Sequence, residues 1–195
     1  MRILKNFRKK FREFDTIADI GQIGRRVFAK NSFDGILTIM GVIMGSYFAN
    51  ITESRTIITT GFGACIAMGV SGIWGTYFTE KAERKKELLE LEKVTLRNLS
   101  NTKIEKAADF ATMVISIIDG LSPFLASLFV LTPFFFISSN INLAYIISLL
   151  LAFIVLGILG AFLGKISEQK MVQSSIRMIF AGIACIILSL FLQTF

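Results

Sequence analysis

Apolar residues along this chain come in long unbroken runs rather than in the short alternations of a soluble fold. Uncharged stretches of bilayer-spanning length recur near 33–51, 56–78, 118–138, 141–163 and 173–194. About 20 residues at 1.5 Å rise cross a hydrocarbon core, so each run predicts one transmembrane helix. Two other patterns stand apart. In residues 3–28, Ile3, Leu4, Phe7, Phe11, Phe14 and Ile17 recur every three or four positions with Arg and Lys between them. That spacing predicts an amphipathic helix lying along the membrane interface, interrupted near Gly21 and Gly24 before the first span. The second run, by contrast, passes into charge without a stop, from Tyr77 through Glu92, and no Gly or Pro occurs between Gly75 and Gly120. Helix is therefore expected to about Leu99, then a turn at Ser100-Asn101-Thr102 and a second helix from about Lys103 that feeds the third span. At the head of that span, Asp119-Gly120-Leu121-Ser122-Pro123 predicts either a broken helix or a plain turn.

The expected fold class is an all-α membrane protein with five transmembrane helices, an N-terminal interfacial amphipathic helix, and a cytoplasmic helical hairpin between spans two and three. Its parts are an arm over 1–31, the first two spans over 32–79, a Glu-rich hairpin over 80–117, and the last three spans over 118–195. Composition agrees with this reading. Apolar residues make up 53% of the 195, with 19 phenylalanines, far more than the surface of a soluble domain of this size could accommodate.

Charge adds the orientation. Of the 21 basic residues, nine precede the first span, one (Arg55) lies between spans one and two, eight follow span two, none falls between spans three and four, and three flank the last turn. By the positive-inside rule this alternation puts the N-terminus in the cytoplasm and the C-terminus outside, in the cell membrane. The net charge of +7 is thus topological, and its expected partner is the anionic lipid surface of the bilayer, with no nucleic acid. The basic, amphipathic start lacks the short apolar core of a cleavable signal, so the first span is expected to direct insertion itself.

Candidate chemistry is carboxylate chemistry. The chain has no histidine and no phosphate-binding loop, which sets aside His-ligated zinc or haem sites, His-dependent hydrolase triads and ATP drive. Cys65 and Cys185 lie in apolar runs without CxxC spacing and read as small packing residues. Asp34 opens the first span, where a carboxylate either caps the helix or marks an ion pathway. Glu80, Glu83, Glu87 and Glu90 fall within an arc of about 80° on one helix face. Such a row suits a hard or borderline divalent cation, and it equally fits a solvated face balanced by Arg84, Lys86 and Lys93. Glu105 and Asp109 on the returning helix could complete an oxygen shell. Met40 and Met44, four apart in span one, are candidate soft ligands beside Asp34, and Asp119 is a second acid at a span head. Glycines dense in the first two spans (Gly41, Gly45, Gly61, Gly63, Gly69, Gly72, Gly75) permit close helix contacts in bundles and dimers.

At these residues the chain resembles the vacuolar iron transporter family. The likeness is carried by Asp34-Gly35 with Gly41 and Gly45 below, by Gly69-Val70-Ser71 followed by Gly75-Thr76-Tyr77 and Lys81-Ala82-Glu83, by the Glu-rich insert after span two, and by Gly160-Ala161-Phe162 with Ser174-Ser175-Ile176-Arg177-Met178. The resemblance implies a secondary transporter that moves Fe²⁺ or Mn²⁺ out of the cytosol in exchange for protons. It implies a homodimer with a path between subunits lined by Asp34, and cytoplasmic carboxylates that gather the metal. Carried over by position, the pathway acid is Asp34 and the candidate cytoplasmic metal ligands are Glu80, Glu83, Glu87, Glu90, Glu105 and Asp109; the residues themselves, not the family, add Met40, Met44 and Asp119 to the expected pathway. The ion is cargo; no permanently bound cofactor and no enzymatic activity are expected. The chain departs from the family pattern twice in span two, with Gly72 where a methionine follows the serine and Ala64 near the place of a glutamate. Those departures support an alternative, a non-transporting membrane scaffold or stress-related protein that keeps the fold.

Overall fold

The structure is a computed structural model that describes residues 11–137 and 140–191. All regular elements among them are helical: α1 over 11–18, α2 Ile20–Phe48, α3 Ser54–Thr95, α4 Lys103–Phe136, α5 Ile141–Ile166 and α6 Met171–Phe191. The last five are long and apolar enough to cross a membrane, which gives the expected five spans. Two helices are much longer than a bilayer requires. At 42 and 34 residues, α3 and α4 are roughly 63 and 51 Å long, against a hydrocarbon core of about 30 Å.

The element boundaries differ from expectation in two instructive places. The arm breaks at Asp19, which sits in the left-handed region at φ 49°, not at Gly21 or Gly24. The Asp15 carboxylate stabilises the break by accepting the Gly21 N–H at 2.6 Å. Past it, α2 runs unbroken from Ile20, well before the apolar stretch begins. In α4 neither the broken helix nor the plain turn occurs: the helix passes straight through Gly120 and keeps Pro123 and Pro133 inside it. A proline leaves the carbonyl four residues earlier without its donor. For Pro133 the Thr132 hydroxyl supplies the replacement, donating to the Phe129 carbonyl at 2.7 Å.

Helices α2, α3 and α4 each contribute to two compact units. One comprises residues 29–69 and 122–191. Its core is aliphatic (Ile36, Ile39, Ile43, Ile57, Leu131 and Leu156 are fully buried) with Met40 and Cys65 among them. Close backbone approaches shape it. A Cβ on Gly35 would lie 2.7 Å from the Pro123 backbone, and the nearby Ser127 hydroxyl donates to the Gly35 carbonyl at 2.8 Å. Tyr145 of α5 packs edge-on between Phe134 and Tyr47, and its hydroxyl ties down the Ile51 carbonyl at 2.9 Å, fixing the link from α2 to α3.

The other unit comprises residues 11–28 and 70–121. Here Phe14, Ala18 and Ile20 pack with Ala107, Ala111 and Ile115, and Phe14 meets Phe110 edge-to-face at 5.5 Å. Of the predicted apolar positions of the arm, Phe14 is buried in this cluster, Phe11 packs against it and Ile17 is 42% exposed; Ile3, Leu4 and Phe7 lie outside the described residues. The turn between α3 and α4 falls where its polar residues predict. Leu96 and Asn101 take left-handed backbone, Glu92 accepts the Leu99 N–H at 2.7 Å, and at the start of α4 the Thr102 hydroxyl accepts the Glu105 N–H while the Glu105 carboxylate accepts the Asn101 N–H.

Candidate functional site

Helix α3 positions most of the acids. Glu80, Glu83 and Glu87 line a cavity of about 350 Å³ together with Asp19, Arg26 and Arg84, and with Ile17, Ala18 and Ile23 as its apolar wall. Their spacing of three and four turns them to one side of the helix, as the sequence predicts. Glu80 is held by Arg84 at 3.0 Å, with both side chains largely buried. Glu83 and Glu87 are exposed. The mixture of four carboxylates and two guanidiniums makes the cavity a polar, partly neutralised recess. A neighbouring groove of about 180 Å³ is mostly apolar, lined by Leu88, Leu91, Ile104 and Ala108 beside Arg84 and Glu87.

The remaining predicted acids are placed elsewhere. Glu90 leaves the cavity face and pairs loosely with Lys86 at 3.9 Å. Glu105 is engaged in the cap, where its carboxylate accepts the Asn101 N–H. Asp109 is exposed on α4. Among the described residues no group of three or more acid or cysteine side chains stands close enough to enclose a metal ion. At the foot of the same unit, Glu13 pairs with Lys103 at 2.7 Å and raises the lysine's affinity for its proton.

In the apolar unit, Asp34 is exposed on α2, and its backbone carbonyl accepts the Thr38 hydroxyl at 2.8 Å. Thr38, Gly41 and Gly45 follow it along one face, and a Cβ on either glycine would meet nothing within 4 Å. Met40 and Met44 do not share that face. They turn inward among Ile36, Ile39 and Ile43, at 0% and 6% exposure. The physical reason is angular, since six and ten residues at 100° carry them some 80–120° away from Asp34. Cys65 and Cys185 are free thiols packed in this unit, as small residues would be.

Span two explains one departure from the family pattern. Gly72 lies against Gly120, where a Cβ on Gly72 would come within 2.8 Å of the Gly120 Cα. A methionine there would force α3 and α4 apart. Close by, the Thr76 hydroxyl donates to Asp119 Oδ2. This pairing joins residues 43 apart in the chain and has no local sequence signal. Ala64 is half-buried on α3.

Five helices apolar enough to cross a membrane, an acid-lined recess on the extension of α3 and an exposed aspartate midway along α2 define a multi-pass membrane protein. Comparison with known proteins gives the family. The VIT family model matches residues 28–112, and an uncharacterized protein of Methanocaldococcus jannaschii is 32% identical over 176 residues, spanning 89% of this chain and 90% of that protein. The chain belongs to the VIT family, whose members are transporters rather than enzymes, and is in that coarse sense a membrane metal-ion transporter.

Proposed function

We propose that the chain exports Fe²⁺ or Mn²⁺ from the cytosol in exchange for protons, as a homodimer in the cell membrane with its N-terminus and the α3–α4 hairpin in the cytoplasm. The observation that carries the reading is Asp34. A carboxylate at the head of a membrane span is costly facing lipid, and in a single chain this one is exposed, on a strip shared with Thr38, Gly41 and Gly45. A second copy laid against that small-residue strip would enclose the acid within a polar path. The recess around Glu80, Glu83 and Glu87 supplies the collecting end, and Asp34 receives the ion or a counter-moving proton. One carboxylate suits both because metal and proton compete for the same oxygens.

The test is flux. Purified protein in liposomes loaded with a metal-sensitive dye should admit Fe²⁺ or Mn²⁺ in a pH-gradient-dependent manner, and Asp34→Ala should be inert. Wild-type vesicles that stay dark across the metal panel would instead support the non-transporting scaffold.

A further inference from the structure

We propose that Trp74, Tyr77, Phe78, Lys81 and Lys85 form a docking face on α3 for the headgroup of an anionic phospholipid. The site is independent of metal transport and requires only that α3 crosses a bilayer. One unbroken helix here carries two unlike sides. Counted from Trp74, the residues Phe78, Lys81 and Lys85 fall within an arc of about 60°, with Tyr77 beside them. Glu80, Glu83, Glu87 and Glu90 all lie on the opposite side. Between Trp74 and Lys85 the first side holds no acid and changes from aromatic to cationic within about three turns. The change falls at the end of the uncharged interval that runs from Arg55 to Glu80.

The side chains are set as a membrane boundary requires. Trp74 and Phe78 are each more than half exposed and stack with ring centroids 6.0 Å apart. Val70, also exposed, extends that apolar surface one turn towards the span. From the charged side, Lys81 reaches back along the helix: its Nζ donates to the Tyr77 hydroxyl at 3.3 Å and lies 5.4 Å from the ring centroid. Rings at headgroup level and a lysine lying back along them are how helices meet the edge of a bilayer. Charge then names the occupant. Arg84, Lys86 and Lys103 each have a carboxylate, in Glu80, Glu90 and Glu13. Among the described residues Lys81 and Lys85 pair with none, and they stand four apart, where like charges repel. An anion seated between them relieves that repulsion. A free phosphate would satisfy the lysines and leave both rings in water. An anionic phospholipid meets the lysines with its phosphate and the rings with its acyl chains.

Trp74 is its own probe, because the chain has no other tryptophan. The full chain is reconstituted in equimolar phosphatidylcholine and phosphatidylglycerol, with the acyl chains of one lipid or the other brominated near the headgroup. Brominated phosphatidylglycerol should quench Trp74 about twofold more strongly than brominated phosphatidylcholine. Lys81→Gln combined with Lys85→Gln should make the two lipids equal. Lys86→Gln, which removes a cation from another side of α3, should keep the preference. Elution volume in detergent checks that each variant is folded. If the double variant fails to fold, the two single variants are read instead, and each should lower the preference. Equal quenching by both lipids in the wild-type protein overturns the site, as does a preference unmoved by the lysine substitutions. Absence of quenching by either lipid also overturns it, because the face is then covered by protein, a second copy of the chain included.

Discussion

Glycines do opposite work in two parts of this molecule. In the α5–α6 hairpin they are filled contacts: a Cβ on Gly160 would come within 2.7 Å of the Ser174 carbonyl, one on Gly164 within 2.8 Å of the Met171 Cα, and the Ser175 hydroxyl donates to Gly157 at 2.7 Å. On the outer faces of α2 and α3 they are open: Gly41, Gly45, Gly63 and Gly75 meet nothing within 4 Å. Small residues in membrane helices permit close approach, and here only the first set is used within the chain. Gly41 and Gly45 of the second set share the face of α2 that carries Asp34. The contrast separates residues that hold one chain together from those available to another surface.

The comparison can be broken or sharpened by substitution. The largest effect belongs to the open strip's acid: Asp34→Ala should abolish metal-dependent protection of cells, and full protection would remove Asp34 from the path. Next comes the filled set. Gly160→Leu should destabilise the fold by about 3 kcal/mol through overpacking, read as loss of a cooperative melt in detergent; a wild-type melt would mean that α5 and α6 part easily. Gly45→Leu should leave that melt within about 0.5 kcal/mol while weakening dimerisation, measured by single-molecule photobleaching; an unchanged dimer would place the partner surface elsewhere. Glu83→Gln with Glu87→Gln should raise half-saturating Mn²⁺ by about threefold with the maximal rate retained, and an unaltered value would demote the recess to a solvated face. The smallest is Glu90→Ala, expected to move stability by no more than about 0.5 kcal/mol because its pairing with Lys86 is exposed and long.

Much of the architecture was legible in the residues. Run length determined the five spans, and the uninterrupted charged stretch after Phe78 foretold that α3 outlasts the bilayer. Ser100-Asn101-Thr102 marked its turn because capping side chains leave a local signature. Where reading failed, the determinants were either geometric or distant. Met40 and Met44 were paired with Asp34 by proximity in sequence, although helical angle sends them into the core. Gly120 and Pro123 looked like a break because their local propensity opposes helix, and packing against Gly72 and Gly35 overrides that propensity. The Asp15 cap that moves the break of the arm to Asp19 is a side-chain contact across a turn. The Thr76–Asp119 pair depends wholly on the crossing of two helices.

Helix α3 also has a mechanical side. From Thr76 to Thr95 it contains neither glycine nor proline, residues at which helices bend sharply. That segment is a ruler: Glu87 and Thr76 sit about 16 Å apart along it, with no residue between them that favours a sharp bend. Sharp bending is left to the helices that carry glycine or proline, α4 at Pro123 and Pro133 among them.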